Sequence, residues 1–127
     1  MQKILVIDDA PEIVENLVEW LTFENYHVIS AENGVKGLEV ALEHLPDLIL
    51  CDWNMPLLDG YGVLRELRRN PRTARIPFIF VSADSALDDV EFRTLIGSNG
   101  YVRKPFTRIG LFTAIQSIWS GTLGQSQ

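Results

Sequence analysis

Three short apolar runs in this chain each stop at polar side chains that an apolar core would exclude. The runs are Ile4–Ile7 before Asp8 and Asp9, Leu48–Cys51 before Asp52, and Phe78–Val81 before Ser82. Continuous hydrophobic runs are typical of parallel strands that are buried on both faces, and ligands of open α/β sheets bind beyond the carboxyl ends of such strands. We therefore expect the three carboxylates and the hydroxyl to meet at one edge of a sheet.

The composition is that of one globular domain. The chain has 127 residues, of which 46% are hydrophobic and 22% are charged, and this excludes a disordered or fibrous protein. No stretch of the sequence approaches the roughly 18 uncharged residues of a membrane span, and the first residues do not form a signal peptide. With a lone Cys51 inside an apolar run, these features predict a cytoplasmic protein. The net charge of -6 argues against direct binding of nucleic acid.

Apolar runs alternate with longer stretches of helical period, which predicts five βα units around a parallel sheet. The predicted strands are Lys3–Ile7, Tyr26–Ala31, Asp47–Cys51, Pro77–Ser82 and Gly100–Arg103. The predicted helices are Pro11–Glu24, Gly34–His44, Gly60–Arg69, Leu87–Ile96 and Arg108–Trp119. Pro11 suits a first helical turn, and Asn33 and Asp59 are expected to cap the second and third helices. We expect residues 1–120 to form one domain and residues 121–127, which are small and polar, to form a flexible tail.

Two surface features of the predicted helices leave alternatives open. In the first helix, Val14, Val18 and Trp20 widen the apolar stripe, which indicates either a broader core face or a patch for a partner helix. At the end of the third helix, five of the eleven cations crowd together. They are Arg65, Arg68, Arg69, Arg72 and Arg75. They either complement a helix C-terminus or form a docking surface.

The acidic pair Asp8 and Asp9 points to a bound cation. Adjacent carboxylates repel each other, and a hard divalent ion relieves that repulsion. Mg²⁺ fits best because it keeps several waters and takes only one or two protein carboxylates directly. Asp52 strengthens this interpretation, since a carboxylate after a strand buried on both faces needs a partner. Pro56 keeps the following loop extended, so a backbone carbonyl there, such as that of Asn54, can complete the metal shell.

Lys104 follows the last predicted strand and adds a movable positive charge. A carboxylate nucleophile, a metal, a lysine and the hydroxyl of Ser82 together suit phosphoryl transfer, which depends on positioning and on neutralising the equatorial oxygens. An aspartate nucleophile gives an aspartyl phosphate.

Five motifs occur in order along the chain: DD at 8, DWNMP from 52, DG at 59, SA at 82 and GYVRKPF from 100. With these motifs the chain resembles the CheY-like receiver domain of two-component response regulators, from about Lys3 to Trp119. The resemblance implies a flavodoxin-like (βα)5 fold, a doubly wound α/β sheet of five parallel strands in the order 2-1-3-4-5.

The resemblance also implies how the acidic residues divide their roles. Asp52 is the expected phosphoacceptor, which takes the phosphoryl group from a histidine kinase or a histidine phosphotransfer protein. Asp9 is the expected direct ligand of Mg²⁺, with Mn²⁺ as a substitute, and Asp8 holds the ion mainly through water. Asp52 also contacts the metal, and Asn54 contributes its backbone carbonyl.

The remaining motif residues are implied to act on the phosphate and on the output. Lys104 pairs with the phosphate, Ser82 turns its hydroxyl toward it, and Ala83 is small enough to let it approach. Tyr101 is the expected switch aromatic, which turns inward when Ser82 moves. This repacks the face formed by the fourth helix, fifth strand and fifth helix.

The positions that tune phosphate lifetime in the family are Asn54 and Asp84 here, and an amide with an acid favours a lifetime of seconds to minutes. The implied function is a signalling switch rather than an enzyme, in a monomer or a phosphorylation-dependent dimer that binds no membrane. Two alternatives are a receiver-like interaction module that no longer uses phosphate and a metal-dependent phosphatase. The phosphatase is disfavoured because Asn54 stands where a second acid would be expected.

Overall fold

The computed structural model describes residues 1–83 and 100–120. The strands are β1 (Lys3–Ile7), β2 (His27–Ala31), β3 (Leu48–Cys51), β4 (Phe78–Ser82) and β5 (Gly100–Arg103). The helices are α1 (Pro11–Phe23), α2 (Gly34–His44), α3 (Gly60–Arg69) and a final described helix, Arg108–Ser120. The predicted helix Leu87–Ile96, the predicted tuning residue Asp84 and the predicted tail 121–127 lie outside the described residues.

All five strands are parallel and form one sheet in the order β2-β1-β3-β4-β5. This is the flavodoxin-like doubly wound order, and the prediction of an α/β fold with this topology is confirmed. The chain order reverses between β1 and β3, and the point of reversal is where such folds bind their ligands.

Predicted and observed element boundaries differ by single residues. β2 begins one residue later than predicted because the Tyr26 N–H donates to the carbonyl of Leu21 at the end of α1 (3.1 Å) rather than to a strand. β4 begins at Phe78 because Pro77 has no N–H to donate. The other shifts are the start of β3 at Leu48, the end of α1 at Phe23 and the end of the final helix at Ser120.

The central strands β1, β3 and β4 are buried on both faces, which explains their uninterrupted apolar sequences. The edge strands β2 and β5 are partly exposed. Successive residues of β1 belong to opposite sides of the sheet: Leu5 lies in one core cluster and Ile4 in the other. The first cluster packs against α2 and α3, with Ala41 and Leu67 among its buried members. The second packs against α1 and the final helix, and its buried members include Leu17, Leu21, Leu111 and Ile115.

The predicted starts of α1, α2 and α3 are confirmed. Pro11 occupies the first turn of α1, and the side chain of Asn33 caps α2 by accepting from the Lys36 N–H at 2.8 Å. The Asp59 carboxylate caps α3 by accepting from the Gly62 N–H at 2.8 Å. These caps fix where α2 and α3 leave the ligand-binding edge of the sheet.

The wide apolar face of α1 is largely a core face. Val14 and Trp20 are partly buried and pack against the cluster shared with the final helix. The Trp20 ring meets the Phe106 ring edge-on, with centroids 5.8 Å apart, and the Arg108 guanidinium lies 5.7 Å from the Trp20 ring. Among the described residues, no helix is both long and apolar enough to cross a membrane.

Candidate functional site

The sheet brings the predicted polar residues to one edge because β1, β3 and β4 are neighbours. Ile7 stands opposite Cys51, and Cys51 stands opposite Phe80, so the residues that follow these strands emerge side by side. The ladder continues one step further, since the Asp52 N–H donates to the Ile7 carbonyl at 2.9 Å. The expectation that the strand ends converge is therefore confirmed.

The three acidic residues form a compact cluster of carboxylates. One carboxylate oxygen from each of Asp8, Asp9 and Asp52 lies within 4.8 Å of the other two. Asp8 is 2% exposed and Asp52 is 7% exposed, whereas Asp9 faces solvent. Three anionic oxygens at this spacing are a donor set that suits a hard divalent cation such as Mg²⁺.

Asp8 is held in place from within its own loop and from across the sheet edge. One carboxylate oxygen accepts from the Ala10 N–H at 2.9 Å, and the other lies 3.0 Å from the Lys104 Nζ. Lys104 also approaches Asp52, with 3.7 Å between Nζ and the nearer carboxylate oxygen. The lysine thus bridges two buried carboxylates and offsets part of their mutual repulsion.

The environment of Asp52 stabilises its charged form less than water does. Burial raises the pKa of this carboxyl above its ordinary value of 3.8, and the nearby charge of Asp8 raises it further. Three contacts act in the opposite direction: the charge of Lys104, a hydrogen bond from the Trp53 backbone N–H and a hydrogen bond from the Ser82 hydroxyl. Ser82, which is 2% exposed, therefore already contacts the predicted phosphoacceptor through its hydroxyl.

The loop after Asp52 returns tightly against the strand end. The Gly60 N–H donates to the Trp53 carbonyl at 2.9 Å, and a Cβ at Gly60 would lie only 2.3 Å from the Asp52 carbonyl oxygen. Sequence reasoning identified Asp59 as a helix cap, but it missed that the next position must be a glycine to fit against the Asp52 backbone. The DG pair itself is the signal that could have revealed it, because a glycine there permits close backbone approach.

The other predicted residues lie in the loop after β3, directly after β4 and on β5. Asn54 and Ala83 are exposed, in the loop after β3 and at the end of β4 respectively. Tyr101 lies opposite Phe80 on β5 and is partly buried against the core cluster of α2 and α3. Cys51 is a buried strand residue, as predicted; its thiol donates to the Asp52 carbonyl at 3.3 Å, and burial raises the pKa of that thiol well above its ordinary value.

Comparison with known proteins agrees with this geometry. A family model described as the response regulator receiver domain matches residues 4–116. The chain belongs to this family. Receiver domains are the signal-receiving modules of two-component systems, so the resemblance noted in the sequence is confirmed.

Named relatives support the same assignment. The receiver domain is 31% identical to protein PilH of Pseudomonas aeruginosa over 121 residues, which cover 95% of this chain and 100% of PilH. It is 38% identical over 106 residues to RpaA of Synechocystis sp., described as a DNA-binding dual master transcriptional regulator. That match covers 84% of this chain but 44% of RpaA, so the chain spans less than half of this relative.

Among solved structures, the receiver domain of the sensor histidine kinase PA1611 from Pseudomonas aeruginosa superposes with a TM-score of 0.83 at 32% identity. The match covers 94% of this chain and 98% of that one. The PA1611 domain was crystallised with a magnesium ion coordinated in its active-site cleft.

Proposed function

We propose that this receiver domain is a phosphorylation-dependent switch in which Asp52 accepts a phosphoryl group from the histidine of a kinase or a histidine phosphotransfer protein. The observation that carries the proposal is the cluster of three carboxylates with the Lys104 Nζ 3.0 Å from Asp8 and 3.7 Å from Asp52. A buried nucleophile flanked by a cation site and a mobile cation is the arrangement that phosphoryl transfer requires.

A divalent cation belongs to this proposal because the donor set fits it. Asp9 and Asp52 would hold Mg²⁺ directly, Asp8 mainly through water, and Asn54 through its backbone carbonyl, with Mn²⁺ as a substitute. The bound ion supplies positive charge that neutralises the phosphoryl oxygens during transfer.

The protein residues perform the rest of the transfer. A carboxylate oxygen of Asp52 forms the new bond to phosphorus while the phosphorus–nitrogen bond of the donor histidine breaks, and the histidine nitrogen keeps the electron pair. Lys104 moves its contact from the carboxylates to a phosphoryl oxygen, which stabilises the added negative charge. The Ser82 hydroxyl turns from the carboxylate to another phosphoryl oxygen. Ala83 leaves room for the group because its side chain is small.

The output of the switch is proposed to pass through Tyr101. Its ring is only partly buried on β5, and β5 lies beside β4, which ends at Ser82. When Ser82 moves toward the phosphate, the space it leaves allows Tyr101 to turn inward. This would repack the face that includes β5 and the final helix, where a downstream protein, or a second copy of the domain, then binds.

The same proposal assigns no catalytic turnover of external substrates to the domain. Its own chemistry is self-phosphotransfer and slow loss of the phosphate in the cytoplasm. Asn54 and Asp84 would orient the water that hydrolyses the aspartyl phosphate, which gives an expected lifetime of seconds to minutes.

Incubation with acetyl phosphate and Mg²⁺, followed by intact mass spectrometry, tests the proposal. We expect a gain of one phosphate on the wild type, none on Asp52→Asn, and an unchanged gain on Asp47→Asn, a matched change of an exposed acid. Chelation of the metal should abolish the gain. Absence of phosphate on the wild type would indicate a phosphate-independent interaction module, and rapid turnover of many phosphate esters would indicate a phosphatase.

A further inference from the structure

The end of α3 and the loop after it carry a positive charge that contrasts with the rest of the chain. Residues 65–75, here called the arginine segment, contain five arginines and one glutamate, for a charge of +4. Because the whole chain has a net charge of -6, the remaining residues sum to -10. A local field of the opposite sign attracts partners that the rest of the surface repels.

The favourable interaction of positive charges with a helix C-terminus accounts for only some of the arginines in this segment. Arg68 is structural: its guanidinium donates to the Thr73 carbonyl at 3.4 Å, and burial lowers its pKa. Arg69 pairs with Glu66 at 3.3 Å on the surface. Arg72 and Arg75 lie beyond the last helical residue, are exposed, and form no ion pair with any residue that the structure describes.

The loop that carries Arg72 and Arg75 is rigidly built. The Thr73 side chain is fully buried, and its hydroxyl donates to the Leu67 carbonyl at 2.7 Å. Backbone bonds from Thr73 to Asn70 (3.0 Å) and from Ile76 to Thr73 (3.2 Å) close two consecutive turns. A loop that is already ordered loses little conformational entropy when a partner binds to it.

A depression with a mixed lining adjoins the arginine segment between α2 and α3. It has a volume of about 380 Å³. Its apolar part is formed by Leu38, Leu42, Leu67 and Pro71, and its polar part includes Arg69 and Glu66, which pair with each other. A partner that filled it with an apolar side chain would bring its flanking residues to the arginines. The backbone of nucleic acid has no apolar side chain that could fill this depression. The charge of -10 on the rest of the chain would also repel a long polyphosphate.

The arginine segment is remote from the phosphoacceptor. α3 begins at Gly60, against the Asp52 carbonyl, and runs ten residues to Arg69. At a rise of about 1.5 Å per residue the helix places its two ends roughly 15 Å apart. A partner bound at the arginine segment therefore leaves the carboxylate cluster open.

We propose that the arginine segment and the adjoining depression are a docking surface for an acidic segment of a partner protein. An apolar side chain of that segment fills the depression beside α2, and carboxylates flanking it pair with Arg72 and Arg75. Docking here does not depend on phosphorylation of Asp52, because the two places lie at opposite ends of α3.

A labelled synthetic peptide with a central Leu pair flanked by Glu and Asp is the probe, and fluorescence anisotropy measures its binding to the full chain. We expect the double variant Arg72→Gln/Arg75→Gln to bind it about tenfold more weakly. The matched double variant Lys36→Gln/Arg108→Gln removes two positive charges elsewhere and should bind as the wild type does. Replacing the Leu pair of the peptide by Ser should also weaken binding.

Three outcomes would overturn the inference. They are equal binding by wild type and Arg72→Gln/Arg75→Gln, equal loss in both double variants, and tighter binding of an oligothymidylate than of the peptide. The last result would make the segment a polyphosphate site. Phosphorylation of Arg72→Gln/Arg75→Gln by acetyl phosphate should match the wild type, so this experiment fails or succeeds separately from the proposed role of Asp52.

Discussion

At the scale of single residues, Asp52 places a carboxyl group where the folded protein stabilises the charged form less than water does. Burial and the charge of Asp8 outweigh the help from Lys104, Trp53 and Ser82, so the pKa of the Asp52 carboxyl is raised. The charged carboxylate is therefore less stable in the folded chain than in water. A cation or a phosphoryl group added at Asp52 reduces this destabilisation of the charged carboxylate.

This environment predicts a pH-dependent effect of Asp52→Asn on stability. Because the folded-state pKa of Asp52 is raised, the folded chain holds this proton more tightly than the unfolded chain does. The neutral carboxyl therefore stabilises the fold at low pH, and this stabilisation is lost as pH rises through the folded-state pKa. We expect Asp52→Asn to be more stable than the wild type near neutral pH in metal-free buffer, with the difference shrinking as pH falls toward 3.8. Urea unfolding across this pH range measures the difference in unfolding free energy between the variant and the wild type. A less stable variant at neutral pH, or a difference that does not change with pH, would contradict the stated environment.

Trp53 gives the site its own optical signal. Its ring is partly exposed and packs against Phe80 and Tyr61, with ring centroids 5.3 and 6.0 Å away. In the variant Trp20→Phe/Trp119→Phe, which retains Trp53, we expect the emission to change when Mg²⁺ or acetyl phosphate is added. The matched variant that lacks Trp53 and retains the other two tryptophans should stay flat. Constant emission from Trp53 under both additions would place the ion elsewhere.

At the scale of elements, the connection from β3 to α3 determines the shape of the site. Its return is tight because the Gly60 N–H bonds to the Trp53 carbonyl and the Gly60 Cα packs against the Asp52 backbone. The Asp59 cap then starts α3 at the next residue. The position of Asp52 thus depends on two adjacent residues with separate tasks, a cap and a glycine.

Gly60→Ala tests the tight return. The added Cβ would lie 2.3 Å from the Asp52 carbonyl oxygen, which is backbone and cannot rotate away. We expect a loss of about 1–3 kcal/mol in unfolding free energy, as for other overpacked sites, and slower phosphorylation of Asp52. Gly110→Ala, at an exposed turn of the final helix where the nearest atom is the Thr107 hydroxyl at 3.1 Å, is the control and should change stability little. Unchanged stability of Gly60→Ala would mean that the loop is not confined there.

The elements also show which features the sequence could predict. The apolar runs specified the three buried strands β1, β3 and β4 because residues on both faces of a parallel sheet avoid water, and the caps at Asn33 and Asp59 specified where helices begin. The strand order was predicted from the family resemblance that the motifs carry, because the residue pattern within a strand does not indicate which strands lie beside it. The contact of Lys104 with Asp8 joins residues 96 positions apart, so local pattern alone could not predict its distance.

At the scale of the whole molecule, the domain has two chemically different ends joined by α3. The carboxyl edge of the sheet gathers the acidic cluster, and the opposite end of α3 carries the arginine segment. The core between them is closely packed on both faces of the sheet, with β1, β3 and β4 almost fully buried. Under the two proposals, one end receives the phosphoryl group while the other remains available to a protein.

The most direct test of the phosphoacceptor assignment is to locate the phosphoryl group. The domain is treated with acetyl phosphate and Mg²⁺, the acyl phosphate is reduced with borohydride, and the digested peptides are sequenced by mass spectrometry. Reduction converts an aspartyl phosphate to homoserine, so we expect homoserine at position 52 and unmodified Asp8 and Asp9 in the same sample. Homoserine at position 8 or 9, or at none of the three, would contradict the assignment of Asp52 as the residue that receives the phosphate.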